Sequence, residues 1–131
     1  MLNAKPCSIP ICSSVKLSAA IGSPLAYPTM YRSVIEALQY LTYTHLDINF
    51  AVNRLSQFLS SPNNTHWQSC KRILHYLKGT SSLGLVFRPA VSLHPKTFTD
   101  ADWASCVDDR HSLSGCCVFL GLNLFNWYSR K

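Results

Sequence analysis

Acidic residues are scarce in this 131-residue chain: six Asp and Glu stand against twelve Lys and Arg, and none precedes Glu36. The resulting +6 balance suits a polyanionic partner, although a solvated basic surface with no partner gives the same sum. Long apolar runs are also missing, since no eighteen consecutive residues are hydrophobic, so no membrane-spanning helix is expected. Near the start, the stretch from Ile9 to Val15 is broken by Pro10 and Ser13-Ser14 and closed by Lys16. That is not the apolar core of a secretory signal, so an intracellular protein without a disulfide framework is expected. The acid-free, Ser-containing opening also has the composition of an organellar transit peptide, which leaves the compartment open.

None of the six cysteines forms a Cys-x-x-Cys pair. Cys106, His111, Cys116 and Cys117 are close in sequence, but adjacent Cys116 and Cys117 point to opposite faces of a strand, and no zinc site is expected. Buried, reduced thiols are the ordinary outcome for cysteines among apolar neighbours. No orienting partner identifies a Cys-His nucleophile. There is no internal repeat and no low-complexity block.

What remains is 47% hydrophobic and 14% charged, enough apolar material for a core. Residues 1 to 30 hold Pro6, Pro10, Pro24 and Pro28, and are expected to form an extended lead-in with little packing. From Tyr31 the period becomes helical, with Tyr31, Val34, Ile35, Leu38 and Leu41 on one face and Glu36 placed to pair with Arg32. A second helix, N-capped by Asp47, shows the face Ile48, Ala51, Val52, Leu55 and Phe58. A third opens with Thr65 and Gln68 as a capping box, packs through Trp67, Cys70, Leu74 and Leu77, and ends at a left-handed Gly79. Beyond residue 80 the pattern turns to β. Leu83, Leu85 and Phe87 alternate, as do residues 97 to 104, and the runs 115–120 and 124–128 flank a hairpin-like Gly121-Leu122-Asn123. The expected fold is α+β: lead-in 1–30, three helices in 31–80, and an antiparallel sheet in 81–131.

Several ordered blocks carry a resemblance: Tyr31-Arg32-Ser33-Val34-Ile35, Ala37 to Thr42, Phe50 to Phe58, His66-Trp67, Lys71 to Thr80, and Thr97-Phe98-Thr99-Asp100-Ala101-Asp102-Trp103-Ala104. From about Lys5 to Lys131 the chain resembles the copia-type retrotransposon Pol polyprotein, where reverse transcriptase ends and ribonuclease H (RNase H) begins. The resemblance implies a thumb-like or connection-like helical segment followed by the first strands of an RNase H fold. Departures are Glu36 where the family usually has Gly, His45-Leu46 where it has Arg-Pro, and Tyr128 in place of a small Ser. His45-Leu46 removes a rigid turn-setter and is expected to loosen the first interhelical link.

RNase H chemistry needs clustered carboxylates holding two divalent ions about 4 Å apart. The carry-over from the family falls on Asp100 as the first catalytic carboxylate, and Asp102, at period two on the same face, makes a weak Mg²⁺-binding pair with it. The family's other acids lie beyond Lys131 and its paired polymerase aspartates upstream of Met1, so neither active site is complete and no cofactor is expected for this segment. An exposed acidic strand end without chemistry is the competing reading. Asp108-Asp109-Arg110 fits a turn and receives no catalytic part.

Lys71, Arg72, His75 and Lys78 form a flank beside the apolar stripe of the third helix, suited to the backbone of an RNA-DNA hybrid or duplex without sequence preference. Lysines beside such a stripe are equally ordinary on a solvated helix. No small-molecule substrate is expected. Two functions stay open at this point: a non-catalytic remnant of the enzyme, or a small basic module that binds nucleic acid or docks onto a fuller reverse transcriptase.

Overall fold

The computed structural model describes residues 5–12 and 14–131, which fall into two compact units, one ending at Leu83 and the other beginning at Gly84. The first holds α1 (Pro28–Leu41), α2 (Leu46–Ser56) and α3 (Asn64–Gly79); the second holds β1 (Pro95–Asp102), β2 (Leu113–Leu120) and β3 (Asn123–Arg130). The fold is α+β, as the change of hydrophobic period indicates.

α1 starts three residues earlier than the periodicity alone places it, because Pro28 occupies the first turn, where its missing N–H costs nothing. Its inner face is Tyr31, Ile35 and Leu38, while Leu41 is left exposed. Arg32 does not turn to Glu36; its guanidinium donates to the carbonyls of Leu59 and Ser60, at 2.8 and 3.5 Å. The link to α2 is fastened by the backbone N–H groups of Thr44 and His45, both bonded to Leu41 O. α2 buries Ile48, Ala51, Val52 and Leu55. Its N-cap is His45, not Asp47: Asp47 lies in the first turn, near the positive end of the helix dipole, and accepts the Tyr76 hydroxyl at 2.6 Å. That bond is also the largest cause of a Tyr76 hydroxyl pushed up to about 12.

α3 is capped two residues before the expected Thr65 and Gln68. Asn63 Oδ1 accepts the His66 N–H at 3.0 Å and His66 Nδ1 accepts the Asn63 N–H at 3.2 Å, a reciprocal box in which histidine takes the part usually given to Glu or Gln. The buried face follows from that start: His66, Cys70, Ile73 and Tyr76 go inward, and Trp67, Leu74 and Leu77 pack only partly against the core. Burial pushes the Cys70 thiol up to about 12 and raises the Tyr31 hydroxyl as well, because both would be ionised in apolar surroundings. Gly79 is the last helical residue rather than a left-handed cap; Thr80, at φ −120°, ends the helix. The glycine answers a different need, since a Cβ there would lie 2.9 Å from Pro6 Cβ.

The lead-in is irregular but not unpacked. Leu17 is 2% exposed and Ser18 3%, and Cys7, Ile11, Val15 and Leu25 rest against the helical core. Prolines forbid a helix or central strand here, yet they do not prevent apolar side chains from being buried. Irregular backbone needs partners, and Asn63 supplies them: its Nδ2 donates to Ser18 O and Ile21 O, while Leu25 N–H and Asn64 N–H bond Pro62 O and Ser23 O.

In the second unit the strands run in the order β1-β2-β3, all antiparallel. β1 ends at Asp102, two residues short of the expected run, because Ala104 turns the chain at φ 51°. Residues 83 to 87, expected to form a strand, form none. Arg88 makes both its backbone bonds to the side-chain amide of Asn123, each 2.8 Å, so one residue is satisfied and no ladder propagates. Gly121, at φ 62°, makes the tight β2–β3 turn, and a Cβ there would come within 2.6 Å of Ser92 O. A register shift between Val118 and Phe119 marks a bulge in the β2–β3 pair. Leu113, Cys116 and Cys106 are buried, but Phe98, Trp103, Leu122 and Phe125 are exposed, so the sheet keeps much apolar surface in contact with water. Among the described residues no helix is long and apolar enough to cross a membrane.

Candidate functional site

At 3.6 residues per turn, Lys71, His75 and Lys78 fall within an arc of about 60°, and Arg72 lies about 60° beyond it. The helix therefore presents three of the four basic positions together and turns the fourth toward the lead-in. Arg72 Nε donates to Ile9 O at 3.2 Å, and the Arg72 carbonyl accepts the Cys7 thiol at 3.3 Å. This anchoring leaves the two terminal nitrogens of the guanidinium to make other bonds. Lys71 Nζ stands 5.9 Å from the centroid of the Trp67 ring, a cation–π approach that tethers the ammonium over a half-buried aromatic. His75 is half-buried and Lys78 exposed in the last turn, where a cation also complements the helix dipole.

Sequence reasoning did not find the cleft beside this flank. About 430 Å³ in volume, it is lined by Cys12 and Val15 of the lead-in and by Asn64, Thr65, Gln68, Ser69 and Arg72 of α3. The Cys12 thiol is held below its ordinary value, chiefly by a hydrogen bond with Ser14 at 2.9 Å and less by the Arg72 charge. No signal in the sequence links Cys12 to Arg72, which lie sixty residues apart.

On the strand unit, Asp100 and Asp102 occupy alternate positions of β1, opposite Gly115 and Leu113, so they share a face as expected. Both are exposed, and Asp100 Oδ1 accepts the N–H of Ala101 at 2.9 Å. Asp108 to Arg110 form the turn that their composition indicates. Asp109 does more than turn the chain: it pairs with Lys131 and with His111 Nδ1, and accepts the His111 N–H at 3.1 Å. The lysine contact is the largest cause of a carboxyl well below the usual carboxylate range. Its partner lies 22 residues away, beyond any local pattern. Among the described residues no group of three or more His, Cys, Asp or Glu is placed to hold a metal ion. Magnesium, which the family resemblance implies, finds here a donor set of two carboxylates on an exposed strand, and two ions need more than that.

The chain is a helical unit followed by an antiparallel sheet whose first strand carries Asp-x-Asp, and the comparisons with known proteins say which family it belongs to. No family model and no solved structure matches the chain. Over all of its length, the chain is 44% identical to the retrovirus-related Pol polyprotein from transposon RE1 of Arabidopsis thaliana and 42% identical to that from transposon RE2. It is 47% identical over 83 residues to an uncharacterized mitochondrial protein of the same plant, covering 75% of that protein. The chain belongs to the copia-type retrotransposon Pol polyprotein family. It spans 9% of the length of the RE1 and RE2 polyproteins.

Proposed function

We propose that this segment is a non-catalytic part of a reverse transcriptase–RNase H polyprotein, with a thumb-like or connection-like helical unit and the opening strands of an RNase H sheet. The observation that carries this reading is the acid inventory of the strand unit. Asp100 and Asp102 stand alone on β1, and of the two acids in the following loop Asp109 is committed to Lys131. Two carboxylates on one exposed strand do not fix a pair of ions. The chain is therefore expected to leave a 5′-labelled RNA-DNA hybrid intact in Mg²⁺ or Mn²⁺, with the wild type and Asp100→Asn indistinguishable on a gel. Mg²⁺-dependent cleavage that disappears in Asp100→Asn would overturn the reading.

The basic flank of α3 supports a second role for the same segment, as a weak, sequence-indifferent contact to a nucleic-acid backbone. Lys71, Lys78 and the terminal nitrogens of Arg72 reach about three phosphates, which corresponds to a slope of log K against log salt near −3 and affinity in the high micromolar range at physiological salt. His75 adds a ring N–H donor to the same row. In a titration of an RNA-DNA hybrid at two salt concentrations, a Lys71→Ala, Arg72→Ala, Lys78→Ala variant is expected to bind about tenfold more weakly at low salt and to lose most of the slope. Scrambling the hybrid sequence should change nothing, because bases are not read. Equal affinity of the two proteins would remove α3 from the interface.

A further inference from the structure

A backbone N–H can only donate, so the 3.2 Å bond from Asn63 N–H to His66 Nδ1 fixes where the ring carries its proton: Nδ1 is bare, and the neutral ring is protonated at Nε2. The ring is 0% exposed and lies against Phe58 with centroids 3.9 Å apart and planes 18° from parallel. A second proton has no place in this arrangement. It would fill the Nδ1 lone pair, turn the bond with Asn63 into two opposed N–H groups, and put a charge in an interior where, among the described residues, no Asp or Glu is buried.

The titratable groups on the surrounding elements do not compensate it. Tyr31 of α1 and Cys70 of α3 are kept neutral by burial, and Asp47 of α2 holds the Tyr76 hydroxyl, about 15 Å further along α3 at 1.5 Å per residue. Arg32, whose guanidinium reaches the carbonyls of Leu59 and Ser60 next to Phe58, and Lys16 of the lead-in add like charge, while Glu36 lies exposed on α1.

We propose that His66 is a pH-sensitive latch: in mild acid its second proton opens the start of α3 and releases the lead-in held on Asn63. Asn63 is the part that both share. Its side chain caps α3 and donates to Ser18 O and Ile21 O, and beside it the Leu25 and Asn64 N–H groups cross to Pro62 O and Ser23 O. Loss of the ring's half of the capping box therefore loosens the helix start and the lead-in together. An opened, solvated imidazole takes its proton near pH 6.5, whereas the closed form keeps Nδ1 bare, so the opened form binds more protons in acid. The closed form is accordingly favoured in full above that pH and loses about tenfold by about pH 5.5. This inference is independent of nucleic-acid binding and of the chemistry of Asp100.

Amide hydrogen exchange of the full 131-residue chain by NMR, corrected for the intrinsic rate at each pH, reads the opening at Leu25 and Asn64, whose N–H groups bond Pro62 O and Ser23 O rather than His66. Their protection is expected to fall about tenfold between about pH 7.5 and about pH 5.5. His66→Gln keeps an acceptor for the Asn63 N–H and does not titrate, so its protection at the two residues should be equal at both pH values. That comparison separates His66 from His45 and His75 of the same unit. A second readout needs no variant: the ring ¹⁵N shifts of the wild type at about pH 7.5 should place the proton of His66 on Nε2 alone. Protection that does not change with pH, an equal fall in His66→Gln, or a proton on Nδ1 at neutral pH would each overturn the proposal.

Discussion

Leu55→Ala is expected to cost the helical unit about 4 kcal/mol. The side chain is 0% exposed in the last turn of α2 and belongs to the cluster that joins all three helices and Leu17. Removing three carbons leaves a hole that the surroundings fill only if the backbone moves. Here the backbone is held, because the Leu55 carbonyl accepts the Tyr31 hydroxyl at 2.7 Å and the Phe58 N–H at 3.1 Å. A site that cannot collapse belongs in the upper part of the usual Leu→Ala range. Set against a total stability of about 5–15 kcal/mol, the loss should lower the thermal midpoint of the helical signal by more than about 10 °C. Far-UV circular dichroism during heating and urea titration reads the change. A shift under about 3 °C would mean that α2 does not pack as described.

The α2 face shows what sequence patterning captures. Ile48, Ala51, Val52, Leu55 and Phe58 repeat at helical spacing, and all are buried, because a short helix has only its apolar stripe to bind it to neighbours. Gly121 was legible for a similar reason, since a two-residue turn between alternating runs needs a residue at positive φ. Where two local solutions compete, the pattern alone does not choose between them. Asn63 and Thr65 are both good caps, and the expected capping box on Thr65 loses because Asn63 also holds the lead-in. That choice rotates the start of α3 and draws His66 inward, which accounts for the misplacement of its buried face. Stacked on Phe58 with centroids 3.9 Å apart, His66 is a core residue, a part that hydropathy does not give to histidine.

The candidate site divides along the same line. Lys71, His75 and Lys78 are grouped by the helical repeat, and Asp100 and Asp102 by the strand repeat, so both were accessible from spacing. Contacts between distant segments were not. Arg72 with Ile9, Cys7 with the Arg72 carbonyl, and Asp109 with Lys131 link residues 22 to 65 positions apart, and each follows from the path of irregular chain. Backbone without its own ladder takes whatever donors and acceptors lie beside it, and no local period encodes which those are.

Asn63→Ala tests that principle where it acts most strongly, and is expected to cost about 2–4 kcal/mol. Asn63 is 3% exposed, and its amide makes three bonds: it accepts the His66 N–H, and it donates to Ser18 O at 3.1 Å and Ile21 O at 2.6 Å. Loss of an N-cap alone costs about 1 kcal/mol. Two buried or half-buried carbonyls deprived of a donor add about 1–3 kcal/mol, since nothing replaces the water they gave up on folding. Asn63→Asp separates the two parts, because a carboxylate keeps the acceptor that caps α3 and loses both donors to the lead-in. It should recover the cap while leaving the segment around Ser18 to Ile21 more open to limited proteolysis. Thr65→Ala, by contrast, removes no capping bond and should cost less than about 1 kcal/mol. Urea titration of the three variants orders them as Asn63→Ala most damaging, Asn63→Asp intermediate and Thr65→Ala least. If Thr65→Ala proved the worst, the cap would lie at Thr65, the lead-in would need another anchor, and the inward turn of His66 would lose its cause.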